Sequence, residues 1–153
     1  MKTKRILCPI DFSTHSDAAL AYASTLAKEA SAKLLLVYVD DSQVPYDAGF
    51  AGYVPPPDET ELLEKRLNET VPAIPGVECE HHLLFGYPAD AIVEFAKTHQ
   101  IDLIVMGTHG RTGVVRLLRG SVAEAVVRRA ECPVLTLKQP VPSDEHDDPA
   151  DAP

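Results

Sequence analysis

A glycine-rich segment after the apolar run 101–106 carries the residue types best suited to binding phosphate. It reads Gly107-x2-Gly110-x9-Gly120-Ser121, with a further glycine at position 113. A backbone without Cβ atoms lets phosphate oxygens approach its N–H groups closely. Gly120-Ser121 also opens an apparent helix over 121–130, and the N-terminal N–H groups and dipole of a helix favour an anion. The spacing therefore predicts a phosphate-binding loop, although the glycines could alternatively serve only as turns.

Arginines are concentrated in the same part of the chain. Residues 111–129 hold five arginines against one acid, Glu124, which gives this stretch a local charge of +4. Such a charge beside a glycine loop suits a polyphosphate. Arg111 is the strongest candidate because it follows Gly110 directly, whereas the other four could equally form a solvated helix face or a partner surface. Those four are Arg116, Arg119, Arg128 and Arg129.

Several other site chemistries lack their required patterns. The chain has no Gly-Lys-Ser/Thr of a Walker A loop and no Gly-x-Gly-x-x-Gly of a dinucleotide site. A hydrolase triad of Ser121, His109 and Asp11 would need a Gly-x-Ser-x-Gly elbow, which the sequence lacks. His81 and His82 are neighbours on a predicted strand, so they point to opposite faces and cannot chelate one ion together. No metal site is predicted.

The elements that must position the glycine segment alternate along the chain. The hydrophobic pattern predicts strands at 5–10, 33–39, 77–85, 103–106 and 133–137. Helices are predicted over 16–30, over 58–71 with Asp58 and Glu61 as a capping-box-like pair, from 86–88 onward, and over 121–130. This order predicts a single α/β domain, a doubly wound open parallel sheet with helices on both faces.

Open parallel sheets of this kind bind ligands at the switch point, where crossovers leave neighbouring strands in opposite directions. If the first and fourth strands are neighbours, Pro9, Ile10 and Asp11 share one crevice with Met106 and the glycines. Asp11 can then accept hydrogen bonds from a ribose hydroxyl, or it can merely cap the following helix. The residue at the end of the second strand, Val39, would offer an apolar wall to a base. The crevice is interpreted as a mononucleotide site.

Composition limits the setting in which such a site would work. The net charge is −9 over 153 residues, and five of those negative charges lie in residues 139–153, which have no Lys or Arg. The remaining body has no excess of basic charge, which argues against nucleic-acid binding. No apolar run reaches the length of a membrane span, no signal peptide is visible, and three widely spaced cysteines indicate reduced thiols in the cytoplasm. The Pro-rich acidic tail, 139–153, is expected to be disordered.

Taken together, these motifs resemble the ATP-binding branch of the universal stress protein family. The resemblance rests on Gly107-x2-Gly110-x9-Gly120-Ser121, on Pro9-x-Asp11 and on Cys132-Pro-Val-Leu, and it spans about residues 3 to 138. The resemblance implies one domain of this family over residues 1–138. It implies a five-stranded Rossmann-like sheet in the order 3-2-1-4-5. It also implies a homodimer through the last strand, Pro133 to Leu137, and ATP as the ligand, with Mg²⁺ or Mn²⁺ on the phosphates.

The same resemblance implies a role for each matching residue. It implies adenine against Ile10 and Val39, and ribose at Asp11 and Gly107. It implies phosphates at His109, Gly110, Arg111, Gly120, Ser121 and Val122. The favoured function is a regulatory module that responds to bound ATP and acts on a protein partner that the sequence does not identify. The alternatives are a slow ATP-hydrolysing enzyme, for which no acidic cluster stands beside the loop, and a nucleotide-free interaction protein.

Overall fold

A computed structural model describes residues 2–44, 56–108 and 122–138 of the chain. Within these ranges, strands and helices alternate as the sequence predicts. The elements are β1 (Arg5–Pro9), α1 (Thr14–Ala30), β2 (Lys33–Asp40), α2 (Pro57–Glu69), β3 (Cys79–Phe85), α3 (Pro88–Thr98), β4 (Leu103–Gly107), α4 (Val122–Arg129) and β5 (Val134–Leu137).

The strands form one parallel sheet in the order β3-β2-β1-β4-β5, which confirms the predicted α/β architecture. β1 and β4 pair directly, with Ile6 opposite Leu103 and Leu7 opposite Ile104. From β1 the chain crosses to β2 on one side, and from β4 it crosses to β5 on the other. The switch point therefore lies between the carboxyl ends of β1 and β4.

Helices cover both faces of the sheet, so the core has two layers. On one face α1 and α2 pack over residues such as Ile6, Leu36 and Val105. On the other face α3 and α4 pack over residues such as Val37 and Ile104. Because β2 lies inside the sheet and is covered on both faces, all its residues after Lys33 are buried. The sheet is thus a rigid platform that holds the strand ends in place.

The second helix begins differently from the sequence prediction. Asp58 was expected to cap it, but the helix starts at Pro57, and Pro56 occupies the N-cap without a side-chain hydrogen bond. Proline suits the first helical position because its fixed φ is already helical and its missing N–H has no partner there. Asp58 therefore lies in the first turn, where its charge favours the helix dipole. The capping-box interpretation was wrong.

All three cysteines are free, as predicted, and burial controls their acidity. Cys8 in β1 is completely buried, and this burial raises the pKa of its thiol from the ordinary 9.0 to about 12. Burial, with Glu80 nearby, raises the pKa of the Cys79 thiol to about 11. Both thiols therefore stay protonated and unreactive near neutral pH.

The raised pKa values predict a loss of stability in alkali. Between about pH 9 and 12 the unfolded Cys8 thiol releases its proton whereas the folded one keeps it, so the free energy of unfolding falls as the pH rises. Cys8 alone contributes a slope of about 1.4 kcal/mol per pH unit in the middle of this window. Urea denaturation at pH 8 and pH 10 measures it, and Cys8→Ala should show a shallower slope than the parent. Equal slopes would contradict the assignment.

Candidate functional site

The end of β1 brings the first predicted site residues to the switch point. Pro9 ends the strand, and the Ile10 amide still donates to the Val37 carbonyl at 2.9 Å, so the chain follows β2 for one more residue. The Ile10 side chain is buried in the core layer beneath α1 and α2. Asp11 comes next and is half-buried. The chain therefore leaves the sheet at Asp11, beside β4.

Asp11 takes part in a tight turn that starts α1. Its Oδ1 atom accepts a hydrogen bond from the Ser13 amide at 3.0 Å. The Ser13 hydroxyl in turn accepts from the Ser16 amide at 3.2 Å and caps the helix. Between them, Phe12 adopts a left-handed φ of 63°. A carboxylate has about four acceptor positions on its two oxygens, so this turn leaves Asp11 the capacity to accept from a ligand hydroxyl as well.

The end of β4 lies against the same helix start. A Cβ atom added to Gly107 would lie 3.1 Å from the carbonyl oxygen of His15 and 3.3 Å from the His15 Cβ. The first turn of α1 thus packs directly on Gly107, and a side chain there would push the helix away. The sequence offered ligand approach or a turn as the reason for Gly107, and it did not predict this helix contact. His15 carried no motif that would place it at the crevice, because only the fold brings it to β4.

Beyond Gly107 the chain stays attached to β5. The Thr108 amide and hydroxyl both donate to the carbonyl of Leu137, at 3.2 and 3.3 Å. On the other side of Gly107, Met106 is buried beneath α3 and α4. The remaining members of the predicted loop fall outside the described residues. They are His109, Gly110, Arg111, Gly120 and Ser121.

The end of β2 holds the residue predicted to face a base. Val39 is 8% exposed and packs beneath α3 and α4, whereas Ile10 packs on the opposite face of the sheet. The structure therefore brings these two residues to the same end of adjacent strands but buries their side chains in different layers. Asp40 ends the strand with its Oδ1 atom accepting from the Ser42 amide at 2.9 Å.

α4 supplies the other boundary of the predicted loop. Val122 is its first residue and is 36% exposed, whereas Ala123 and Val126 are buried against the sheet. Two of the arginines in the basic stretch are engaged in ion pairs on this helix. Arg128 pairs with Glu124 at 3.2 Å, and Arg129 pairs with Asp90 of α3. Both guanidinium groups are thus paired with carboxylates on the exposed side of α4. This pairing favours the solvated helix face over phosphate binding for these two arginines.

An aromatic stack beside Asp11 was not foreseen from the sequence. The Phe12 ring stacks on Tyr38 of β2 with 5.0 Å between ring centroids and 23° between planes. The Arg66 guanidinium of α2 lies 4.1 Å from the centre of the Phe12 ring. No local pattern marks such a stack, since its members come from three separate elements. It ties the Asp11 turn to β2 and to α2.

The described residues hold neither a metal-binding cluster nor a membrane-spanning helix. They contain no group of three His, Cys, Asp or Glu side chains arranged to hold a metal ion. Among them there is also no helix with the length and apolar character needed to cross a membrane.

The strand order and the crevice between β1 and β4 define an open α/β protein of the Rossmann-like type. The model of the universal stress protein family matches residues 2–138, and the chain belongs to this family.

Similar proteins support the family assignment and bear on the ligand. A universal stress protein of Methanocaldococcus jannaschii is 39% identical over 149 residues, covering 90% of this chain and 83% of the relative. A solved universal stress protein in complex with cAMP is 25% identical, with a TM-score of 0.69, covering 92% of this chain and 100% of that one. The universal stress protein of Archaeoglobus fulgidus in complex with dAMP is 26% identical, with a TM-score of 0.63 and coverage of 89% and 98%.

Proposed function

We propose that this chain binds ATP in the crevice between β1 and β4 and acts as a nucleotide-dependent regulatory protein. The observation that carries the proposal is that Asp11 follows β1 and Gly107 ends β4, two neighbouring strands whose carboxyl ends lie at the switch point of the sheet. Gly107 also begins the glycine segment that the sequence predicts to be a phosphate-binding loop.

In this proposal the crevice divides into three parts. Adenine lies near the backbone of Pro9, Ile10 and Val39, because the side chains of Ile10 and Val39 are buried on opposite faces of the sheet. Ribose is bound by Asp11 beside Gly107. The phosphates extend from Met106 and Gly107 toward the glycine segment and the start of α4. Two relatives of solved structure hold cAMP and dAMP, which are both adenine nucleotides, and this supports the choice of base. The choice of a triphosphate rests on the glycine spacing and Arg111.

A metal ion, Mg²⁺ or Mn²⁺, would enter this site with the nucleotide. Mg²⁺ at nucleotide sites takes most of its ligands from phosphates and water, with one or two carboxylates from the protein. Asp11 is a described carboxylate at the end of β1, and one of its oxygens already accepts a hydrogen bond from the Ser13 amide. The ion would therefore neutralise phosphate charge rather than organise a cage of protein ligands.

Regulation is proposed as the output because hydrolysis would need more than this part of the chain offers. Phosphate transfer to water requires a metal and a residue that positions or deprotonates the water. Among the described acids, the proposal gives a role in the crevice to Asp11. That role is to bind ribose, so Asp11 is not assigned to the attacking water. A protein partner would instead recognise the ATP-bound form. The free cysteines suit a reducing compartment, so the proposed location is the cytoplasm.

Nucleotide release and thermal unfolding test the proposed function. Denaturing the purified protein should release adenine nucleotide that chromatography can identify. Adding ATP and Mg²⁺ at about 100 times Kd should stabilise the protein by about 2.7 kcal/mol and raise Tm by about 5–10 °C. GTP and inorganic triphosphate are the matched ligands, and each should give a smaller shift. No released nucleotide together with no ATP-dependent shift would refute the proposal.

The outer edge of β5 suits the proposed homodimer. The Pro133 carbonyl accepts from Ile104 of β4, and the Leu137 carbonyl accepts from Thr108, directly after β4. Alternation along the strand therefore turns the polar backbone groups of Val134 and Thr136 away from β4. An unpaired strand edge is a template for a second chain. A second copy pairing along β5 would satisfy these groups.

Removing one outward N–H group tests this interface. Thr136→Pro deletes an outward donor, so we expect sedimentation to show a dimer for the parent and a monomer for the variant at micromolar concentration. Thr136→Val retains the donor and serves as the control. A parent protein that sediments as a monomer would contradict the interface.

A further inference from the structure

Phe12 has a backbone conformation that its side chain disfavours. Its φ of 63° lies in the left-handed region, which glycine adopts easily and a bulky residue rarely does. The residue lies within the turn in which Asp11 Oδ1 accepts from the Ser13 amide. Something outside the turn must therefore stabilise Phe12, since the residue itself opposes the geometry.

The ring of Phe12 provides this stabilisation through two contacts on different elements. Tyr38, against which it stacks at 5.0 Å, is 4% exposed and fixed in β2. Arg66 lies 4.1 Å from the ring centre and belongs to the last turn of α2. A guanidinium over an aromatic face is attracted by the ring quadrupole. The ring is thus held between the sheet and α2, and its backbone follows.

From this arrangement we propose that Phe12 is a positioning residue of the nucleotide site. The stack of Arg66, Phe12 and Tyr38 fixes the direction in which the Asp11 carboxylate faces the crevice. The stack does not touch the nucleotide and acts only through Asp11. This inference rests on the proposed function, because it assigns the stack to the ribose-binding part of the same site.

The position of α2 is coupled to the nucleotide site as a consequence. Arg66 links α2 to the Phe12 ring, so a change that moves this helix weakens the hold on the Asp11 turn. Coupling of this kind is reciprocal, and nucleotide on Asp11 would favour the docked position of α2. A partner that binds α2 would therefore sense the occupied crevice.

Variants of Phe12 and Arg66 separate positioning from general stability. Phe12→Gly removes the ring but accepts the left-handed backbone, whereas Phe12→Ala removes the ring and keeps the backbone penalty. Arg66→Gln removes the cation, and Lys65→Gln removes the neighbouring charge on the same helix as a control. Calorimetry should show the ATP Kd raised about 3-fold by Arg66→Gln and about 10-fold by Phe12→Gly, with Lys65→Gln unchanged. Phe12→Ala should bind ATP less well than Phe12→Gly.

A double-mutant cycle with Asp11→Ala distinguishes action through Asp11 from an independent effect. In the Asp11→Ala background, Phe12→Gly and Arg66→Gln should raise the ATP Kd little further. Additive losses would overturn the proposal. Hydrogen exchange of the Ser13 amide gives a second measurement without nucleotide, and it should accelerate in Phe12→Gly and Arg66→Gln but not in Lys65→Gln. Unchanged exchange would also overturn the proposal. If the parent bound no ATP, the proposed function would fail, and the Ser13 exchange would separately show whether the stack holds the Asp11 turn.

Discussion

Replacing Gly107 with valine is expected to abolish ATP binding and to lower the free energy of unfolding by about 1–3 kcal/mol. Even a single Cβ atom here would approach the His15 carbonyl oxygen to 3.1 Å, and valine adds two methyl groups beyond it. The first turn of α1 must move away from β4, and Asp11 moves with it because the Asp11–Ser13 turn starts this helix. Urea denaturation and isothermal calorimetry with ATP measure the two effects.

Two further variants define the size and origin of this loss. Gly107→Ala should fall between parent and Gly107→Val, because its one methyl group requires a shift of only a few tenths of an ångström. Thr108→Ser retains the hydroxyl that donates to Leu137, so it should match the parent in stability and ATP affinity. A valine variant with the parent's stability would mean that α1 does not pack tightly on β4.

Asp11→Ala is expected to raise the ATP Kd by about 10- to 100-fold. The change removes a charged acceptor for a ribose hydroxyl, and hydrogen bonds to charged groups contribute about 1.5–3 kcal/mol. It also removes the acceptor for the Ser13 amide, so the turn loosens. Asp11→Asn keeps one acceptor oxygen and should lose less affinity than alanine. Calorimetry with ATP gives both values.

The control for Asp11 is a nearby acid in the first turn of α1. Asp17 is exposed in the first turn of α1, and Asp17→Ala should leave the ATP Kd within about 2-fold of the parent because exposed charges are screened. Equal losses for the two variants would point to a long-range effect of charge. An Asp11→Ala protein that binds ATP as the parent does would contradict the ribose assignment.

The fold could be predicted because its signals are local and mutually consistent. The continuous apolar run at 33–39 identified β2 as a strand covered on both faces, and Pro88 marked the start of α3. The more polar alternation of β3 is typical of an edge strand, and the structure places β3 at the edge of the sheet. The alternation of elements indicated a parallel sheet, but the strand order came from resemblance to a family. Periodicity does not specify which strands are neighbours.

The site could be predicted only where a motif lies next to a strand end. Asp11 and Gly107 satisfy this condition, and the pairing of β1 with β4 brings their strand ends together. No motif beside a strand end marks the other contributors, which are His15, Arg66 and Tyr38. Each lies near the Asp11 turn or Gly107 because elements distant in sequence pack together. The left-handed backbone of Phe12 had no signal either, because propensity alone would place glycine or asparagine there. Tertiary contacts override that propensity.

The two hydrogen bonds from Thr108 to the Leu137 carbonyl mean that β5 anchors the start of the glycine segment, in addition to offering an edge for dimerisation. They engage the row of backbone groups that points toward β4, whereas a second copy of the chain would engage the opposite row at Val134 and Thr136. The two rows do not compete for the same donors and acceptors. Self-association and the anchoring of the glycine segment are therefore separable, and a protein made monomeric by Thr136→Pro should keep its affinity for ATP.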